Sequence, residues 1–152
     1  MNYAHWLIYH SYYRWLVIFA LLIQFIWVYI QKRNNRIFVR KDIQVLVFFC
    51  LIYNIQLLLG WMLYLSSPLS MSFWADLPAS LKNRQVRFFG LEHMSMMTVG
   101  IIWMNVLTLI VRKKIGTPAF TYLWKRYLWI YLIILTSVPW SFSPLTSRPN
   151  FR

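Results

Sequence analysis

Four long apolar runs, each bounded by polar or basic residues, constrain the fold of this chain more than any other feature. A helix needs about 20 predominantly apolar residues to cross the hydrocarbon core of a bilayer. The runs predict four membrane-spanning helices, at about residues 6–30, 43–65, 87–111 and 122–138. With 60% hydrophobic and only 12% charged residues, the composition also departs from that of a soluble domain. We therefore expect an all-α integral membrane protein.

The connections between the runs are short, which favours helices that alternate in direction. This pattern predicts a single membrane domain, an up-down-up-down bundle of four transmembrane helices in which the first and third lie diagonally across a common core. The connection between the second and third spans is the longest and contains Asp76 and Pro78. Its segment at about 76–86 is compatible with a short helix that lies on the membrane surface.

The basic residues are concentrated in two connections, residues 32–41 and 112–114. Because Lys and Arg are enriched in cytoplasmic loops, this predicts that both connections face the cytoplasm and that both termini lie on the outer, periplasmic side of the inner membrane. The formal net charge of +13 is also found in nucleic-acid-binding proteins, but those carry a basic face on a folded soluble domain. We therefore expect the lipid bilayer, and no nucleic acid, as a partner.

The single cysteine, Cys50, lies within an apolar run. One cysteine allows neither an internal disulfide nor a cysteine-based zinc site, and the C-x-x-C-H motif for covalent heme is absent from the sequence. The first apolar run lacks the basic flank and the small-residue cleavage site of a signal peptide. We expect that run to remain in the mature protein.

Ionisable residues inside the apolar runs are the candidate functional residues, since such groups are costly at membrane depth. An acid and an imidazole, Glu92 and His93, stand at the start of the third run. The first run must include His10 and Arg14, because residues 15–30 alone are too short to span a bilayer. His10 and Arg14 are four residues apart and share one helix face.

His10 and His93 are predicted to lie at the same depth. Both of their spans run from outside to inside, and each histidine follows the outer boundary by about one to two helical turns. Two imidazoles at equal depth on diagonal helices suit the axial ligation of one iron porphyrin lying edge-on in a bundle. The sequence therefore predicts a non-covalent heme b, with His10 and His93 as the metal ligands.

Two glycines accompany the histidines. Gly60 precedes the outer end of the second span and is predicted at nearly the same depth, and Gly100 follows His93 by seven residues and shares its face. A glycine lets a flat macrocycle approach the backbone. The alternative is that both glycines mediate helix packing without any cofactor.

Arg14 and Glu92 each need a partner in a low-dielectric setting, and we predict an ion pair between them that joins the first and third helices. Two alternatives remain: Arg14 extends to the outer interface while Glu92 is exposed, or Glu92 accepts a proton from bound quinol. Arg84 and Arg87, at the outer mouth, are candidates for pairing with heme propionates, although a solvated interfacial cluster is the more usual arrangement.

Three methionines, Met94, Met96 and Met97, follow His93. Thioether and imidazole together suit Cu(I) or His/Met heme ligation. Methionines in an apolar helix are most often core residues, so copper ranks below heme.

Several short motifs resemble a family of small four-span membrane proteins labelled cytochrome b-like. They are H-S-Y-Y-R-W at 10–15, Q-L-L-L-G-W-M-L-Y at 56–64, R-F-F-G-L-E-H-M-S-M-M at 87–97 and V-P-W at 138–140. The resemblance covers nearly the whole chain and implies a membrane b-type heme protein. The positions that match its recurrent residues are His10, Arg14, Gln56, Gly60, Arg87, Glu92 and His93. The size also resembles that of heme-dependent protoporphyrinogen oxidases, whose signature segments are not found here.

These observations favour a b-type cytochrome that moves electrons near the outer face between quinol and a partner protein. A second hypothesis is a non-catalytic membrane subunit that contacts a neighbouring protein inside a larger complex. A third is a quinone-linked or heme-dependent oxidoreductase with Glu92 as proton acceptor. Whether the chain is an enzyme stays open at this point.

Overall fold

The computed structural model describes residues 2–140. Within them the chain forms seven α-helices, one π-helical segment and no strand. The four long helices are α1 (Tyr3–Arg33), α2 (Arg40–Ser66), α6 (His93–Arg112) and α7 (Ala119–Ser137). The short helices α3 (Pro68–Ala75), α4 (Leu77–Lys82) and α5 (Arg84–Arg87) join α2 to the π-helical segment (Phe88–Glu92), which runs directly into α6.

Among residues 2–140, three helices are long and apolar enough to cross a bilayer: α1, α2 and the continuous helix Arg84–Arg112, formed by α5, the π-helical segment and α6. Their outward faces carry large apolar side chains, among them Phe19 and Phe48, which are 61% and 59% exposed. Contiguous apolar surface of this kind is rare on soluble monomers. The three helices therefore indicate a multi-pass membrane protein.

The fourth predicted span corresponds to α7, which is not among those three helices. It has 19 residues and carries Lys125 and Arg126 near its beginning. At about 1.5 Å per residue its length approaches the roughly 30 Å of the hydrocarbon core. The two cations are what lower its apolar character, and its crossing of the membrane stays a prediction.

The long helices share one core. α1 and α6 each pack against both α2 and α7, so α1 and α6 lie on opposite sides of that core. Several side chains in it are fully buried, including Phe38, Leu46, Leu107, Val111 and Leu123.

A buried amide, Gln24 of α1, ties three helices together in this core. Its carbonyl oxygen accepts hydrogen bonds from the hydroxyls of Tyr53 on α2, at 2.8 Å, and Tyr131 on α7, at 3.2 Å. Its amide nitrogen donates to the Tyr127 hydroxyl at 3.4 Å. Polar side chains that bond across helices fix their register where surrounding groups are apolar.

The two basic connections are held side by side by backbone hydrogen bonds. Phe38 donates its N–H to the Thr117 carbonyl, and the Phe38 carbonyl accepts the N–H of Gly116, both at 2.9 Å. Asp42, in the first turn of α2, accepts the Val39 N–H and forms an ion pair with Arg36. The Asp42 side chain thereby caps the beginning of α2 from its first turn.

The link between α2 and the third span contains more helix than expected. A short helix was predicted at about 76–86, whereas helical structure begins at Pro68 and is interrupted only at Asp76 and Asn83. The side chains of Ser67, Asp76 and Asn83 each cap the helix that follows, because each accepts a backbone N–H from its first turn.

Candidate functional site

The imidazole rings of His10 and His93 face each other across the core. Their ring centres are 6.2 Å apart, and their planes are inclined by 88°. His10 lies in the third turn of α1, and His93 is the first residue of α6. The juxtaposition expected from their matched depth is thus present in the structure.

The orientation of His93 is set by the end of α7. Its Nδ1 lies 2.7 Å from the carbonyl oxygen of Ser137. A carbonyl oxygen can only accept, so Nδ1 carries the proton and Nε2 keeps a free lone pair. Histidines that bind metals usually donate their other ring N–H to a carbonyl or carboxylate in this way.

His10 is held by Gln56 of α2. The Gln56 side-chain nitrogen lies 3.2 Å from His10 Nδ1 and donates to the His10 carbonyl oxygen, also at 3.2 Å. The other amide atom, Gln56 Oε1, is buried and has no hydrogen-bond partner among the described residues. Gly60, one turn further along α2, makes room for the ring, because a Cβ there would lie 3.2 Å from His10 Cε1.

The π-helical segment directly precedes His93 and is fixed by α2 and α3. A Cβ at Gly90 would lie 2.4 Å from Phe73 Cγ, so a larger residue does not fit there. The Gly90 carbonyl accepts the Tyr64 hydroxyl at 2.8 Å, and the Tyr64 oxygen accepts the Trp74 indole N–H at 2.7 Å. Single π-helical turns inside α-helices are frequently found at functional sites.

The predicted ion pair between Arg14 and Glu92 is wrong. Glu92 pairs with Arg87, whose Nε lies 2.6 Å from Glu92 Oε1, and Arg87 also donates to the Leu81 carbonyl. Residues five apart are on different faces of an α-helix, but the i→i+5 hydrogen bonding of a π-helix brings them close together. The pair therefore stabilises the segment itself and does not join α1 to α6.

A cavity of about 150 Å³ extends from the histidine pair along α1. Five of the predicted site residues contribute to its wall: His10, Arg14, Gln56, Gly60 and His93. Three others, Arg87, Glu92 and Gly100, do not.

Gly100 packs against α7. A Cβ there would lie 3.1 Å from Ile134 Cγ1, so this glycine allows close contact between α6 and α7. Gly100 therefore mediates helix packing, as the alternative interpretation predicted. The prediction that Gly100 lies against a cofactor is wrong, because it faces α7.

The methionines after His93 divide between two environments. Met94 and Met97 line the cavity, whereas the Met96 sulfur accepts a hydrogen bond from the Ser137 hydroxyl at 3.3 Å. Residues 2–140 contain no cluster of three or more His, Cys, Asp or Glu side chains able to hold a metal ion. The histidine pair alone therefore offers two protein ligands and no complete metal site.

Sequence reasoning missed three residues that position the pair: Ser137, Tyr64 and Gly90. Tyr64 enters the sequence prediction only as the last residue of the motif at 56–64. No local signal marks the carbonyl of Ser137, since any residue there supplies one. Gly90 did carry a signal, as a glycine within an apolar run beside an ionisable pair.

No family model, curated protein or solved structure matches this chain. Membership of the cytochrome b-like family therefore stays a prediction.

Proposed function

We propose that this chain is a membrane b-type heme protein, in which His10 and His93 are the two axial ligands of one heme. The observation that carries the proposal is the 6.2 Å separation of their ring centres. A metal–imidazole bond is about 2 Å long and the nitrogen lies about 1 Å from the ring centre, so two imidazoles on opposite sides of one metal have centres roughly 6 Å apart.

The donor set around the pair fits this role. Two imidazoles leave a metal coordinatively incomplete, and a porphyrin supplies the four nitrogens that complete six-coordinate iron. The Ser137 carbonyl holds His93 in the tautomer that a ligand needs. Arg14 adds a cation to the same wall, which suits the carboxylates of the macrocycle.

The cavity is too small to hold a macrocycle without a change in its wall. Its 150 Å³ is below the roughly 300–1,000 Å³ of typical small-molecule pockets, so the wall has to open for a macrocycle. The wall reaches from Tyr3 to Leu21 along α1, about 27 Å at 1.5 Å per residue, which is long enough. Met94 and Met97 are the flexible side chains that can move aside.

The heme, when bound, supplies one-electron transfer. The protein supplies ligands, an apolar wall and a site near the end of the helices where α1 begins. We propose that electrons pass there between quinol and a redox partner protein. Our proposed topology is a four-helix bundle in the inner membrane, with both basic connections in the cytoplasm and the start of α1 and end of α7 outside, as the charge asymmetry favours.

An absorption spectrum of the detergent-purified protein tests the proposal. We expect a b-type spectrum that changes on reduction and is lost in His10→Ala and in His93→Ala. His5→Ala is the matched control, since His5 is exposed on the same helix and its side chain hydrogen-bonds to the nearby Asn2. A protein that binds no heme, even on reconstitution, would rule the proposal out.

A second candidate is a non-catalytic subunit of a larger membrane complex, favoured by a pair of amides. Asn54 on α2 and Asn105 on α6 donate to each other's carbonyl oxygens at 3.0 Å, and Asn54 is exposed. Amides near the middle of apolar helices often contact a neighbouring helix. Co-purification with a stable assembly that Asn54→Leu disrupts, without any chromophore, would favour this candidate over the heme protein.

The quinone-linked version with Glu92 as proton acceptor has less support. Glu92 is paired with Arg87 and lies outside the cavity wall, so it would first have to leave its partner. Copper bound by His93 with Met94 or Met97 is a further alternative, which metal analysis of the purified protein would separate from heme iron.

A further inference from the structure

Two cations share one aromatic ring at the start of α7. The guanidinium carbon of Arg126 lies 3.5 Å from the centre of the Tyr122 ring, and Lys114 Nζ lies 4.8 Å from the same centre. Arg126 also donates from Nη1 to the Tyr122 carbonyl at 3.3 Å. We call these three residues the Tyr122 cluster. Both cations of the cluster are thus in contact with the same aromatic side chain.

No carboxylate balances the Tyr122 cluster in residues 2–140. The chain has three acidic residues. Asp42 is paired with Arg36, Glu92 is paired with Arg87, and Asp76 caps α4 in the link at the opposite ends of the helices. Within the described part of the chain the cluster therefore has two cations and no carboxylate partner.

The depth of Arg126 also requires an explanation. It follows the first residue of α7, Ala119, by seven residues, about 10 Å along the helix axis. A cation that far along a membrane helix is costly unless it reaches the headgroup region or meets an anion. The backbone hydrogen bonds between Phe38 and residues 116–117 hold in place the connection that carries Lys114.

We propose that the Tyr122 cluster binds the phosphate of an anionic phospholipid headgroup. Basic pockets between transmembrane helices bind such headgroups, and a guanidinium can contact two phosphate oxygens at once. The bound lipid would neutralise Arg126. It would thereby assist the membrane insertion of α7, whose apolar character is lowered by Lys125 and Arg126. This site is independent of heme binding.

Native mass spectrometry of the detergent-purified protein, mixed with equal amounts of phosphatidylglycerol and phosphatidylcholine, tests the proposal. We expect the wild type to retain phosphatidylglycerol preferentially. The double variant Lys114→Gln/Arg126→Gln should lose the preference, by about fivefold for each cation removed. The control Arg33→Gln/Lys41→Gln removes the same charge from exposed positions at the same end of the molecule and should keep it. Equal losses in both variants, or no preference in the wild type, would overturn the proposal.

Two further measurements keep the test decisive. If the double variant does not fold, Lys114→Gln and Arg126→Lys are tested singly, and an unchanged preference in both contradicts the proposal. Arg126→Lys keeps the charge but loses the planar group that stacks on Tyr122. Inorganic phosphate is added in a parallel sample. If it displaces the phosphatidylglycerol and stabilises the protein as strongly as that lipid does, the ligand is a free anion and the lipid assignment is wrong.

Discussion

The carbonyl oxygen of Ser137, at the end of α7, lies 2.7 Å from Nδ1 of His93, the first residue of α6. This contact leaves Nε2 of His93 as the ring atom with a free lone pair, and the ring faces His10. The last turn of α7 thereby determines which ring nitrogen of His93, on α6, is able to bind a metal. The candidate site depends on all four long helices, since Gln56 of α2 holds the other imidazole.

Gln56 should control the basicity of His10. When His10 binds a metal through Nε2, its Nδ1 carries a proton, and rotation of the Gln56 amide would present Oε1 as the acceptor. We expect Gln56→Leu to weaken heme binding by about 10–100-fold. Gln56→Glu should lower the midpoint potential, because a carboxylate makes the imidazole a stronger donor. Heme titration and redox titration measure these effects, with Gln44→Leu, an exposed position on α2, as the control. Unchanged affinity and potential in both variants would show that Gln56 does not position His10.

Gly90→Ala should destabilise the protein more than Gly100→Ala does. The new Cβ would overlap Phe73 Cγ at 2.4 Å and Phe73 Cβ at 2.5 Å, atoms close to the backbone that cannot yield easily. At Gly100 the nearest atom, Ile134 Cγ1, is 3.1 Å away and belongs to a more mobile part of its side chain. We expect Gly90→Ala to cost about 1–3 kcal/mol, as overpacking usually does. Thermal melting in detergent compares the two variants, and equal midpoints would contradict the packing described for the π-helical segment.

Removal of the buried amide of Gln24 should loosen the contacts between α1, α2 and α7. Gln24→Leu leaves the hydroxyls of Tyr53, Tyr127 and Tyr131 without their common partner. Hydrogen bonds between membrane helices contribute about 0.6 kcal/mol on average, so we expect a loss of roughly 1–2 kcal/mol for the network. Gln31→Leu, on the same helix, changes the same side chain outside the network. A melt in which both variants behave alike would show that the network adds no stability.

Breaking the Arg87–Glu92 pair should have a small effect. Both side chains are more than a third exposed, so the pair is well solvated and Glu92→Gln is expected to cost less than about 1 kcal/mol. Heme absorption should be unchanged, because neither residue lines the cavity. Quinol oxidation that stops in Glu92→Gln while the heme spectrum stays intact would instead restore Glu92 as a proton acceptor.

The approximate bounds of the three long apolar helices and the closeness of His10 to His93 could be predicted from sequence because both depend on coarse quantities. The length of an apolar run fixes where a helix crosses, and counting residues from a boundary fixes depth, which sufficed to match His10 with His93. The rotation of each helix about its axis is set by side-chain packing, which a single sequence does not reveal. For that reason Gly100 was assigned to the cofactor although it faces Ile134.

The partner of Glu92 could not be predicted for a different reason. The π-helical segment changes which residues of this stretch share a face, so Arg87 reaches Glu92 within the same segment. Nothing in the residue types Phe88–Glu92 distinguishes a π-helix from an α-helix. In the structure, Phe73 packs against Gly90 and the Tyr64 hydroxyl donates to the Gly90 carbonyl, and these contacts come from residues distant in the sequence.

The most direct test of the central claim is a titration of the purified protein with heme, followed by absorption spectroscopy. We predict one heme bound per chain, with the low-spin spectrum of six-coordinate iron in the wild type and in His5→Ala. His10→Ala and His93→Ala should each lose that low-spin form. A wild type that binds no heme, or two histidine variants that keep the wild-type spectrum, would contradict the assignment of His10 and His93 as axial ligands.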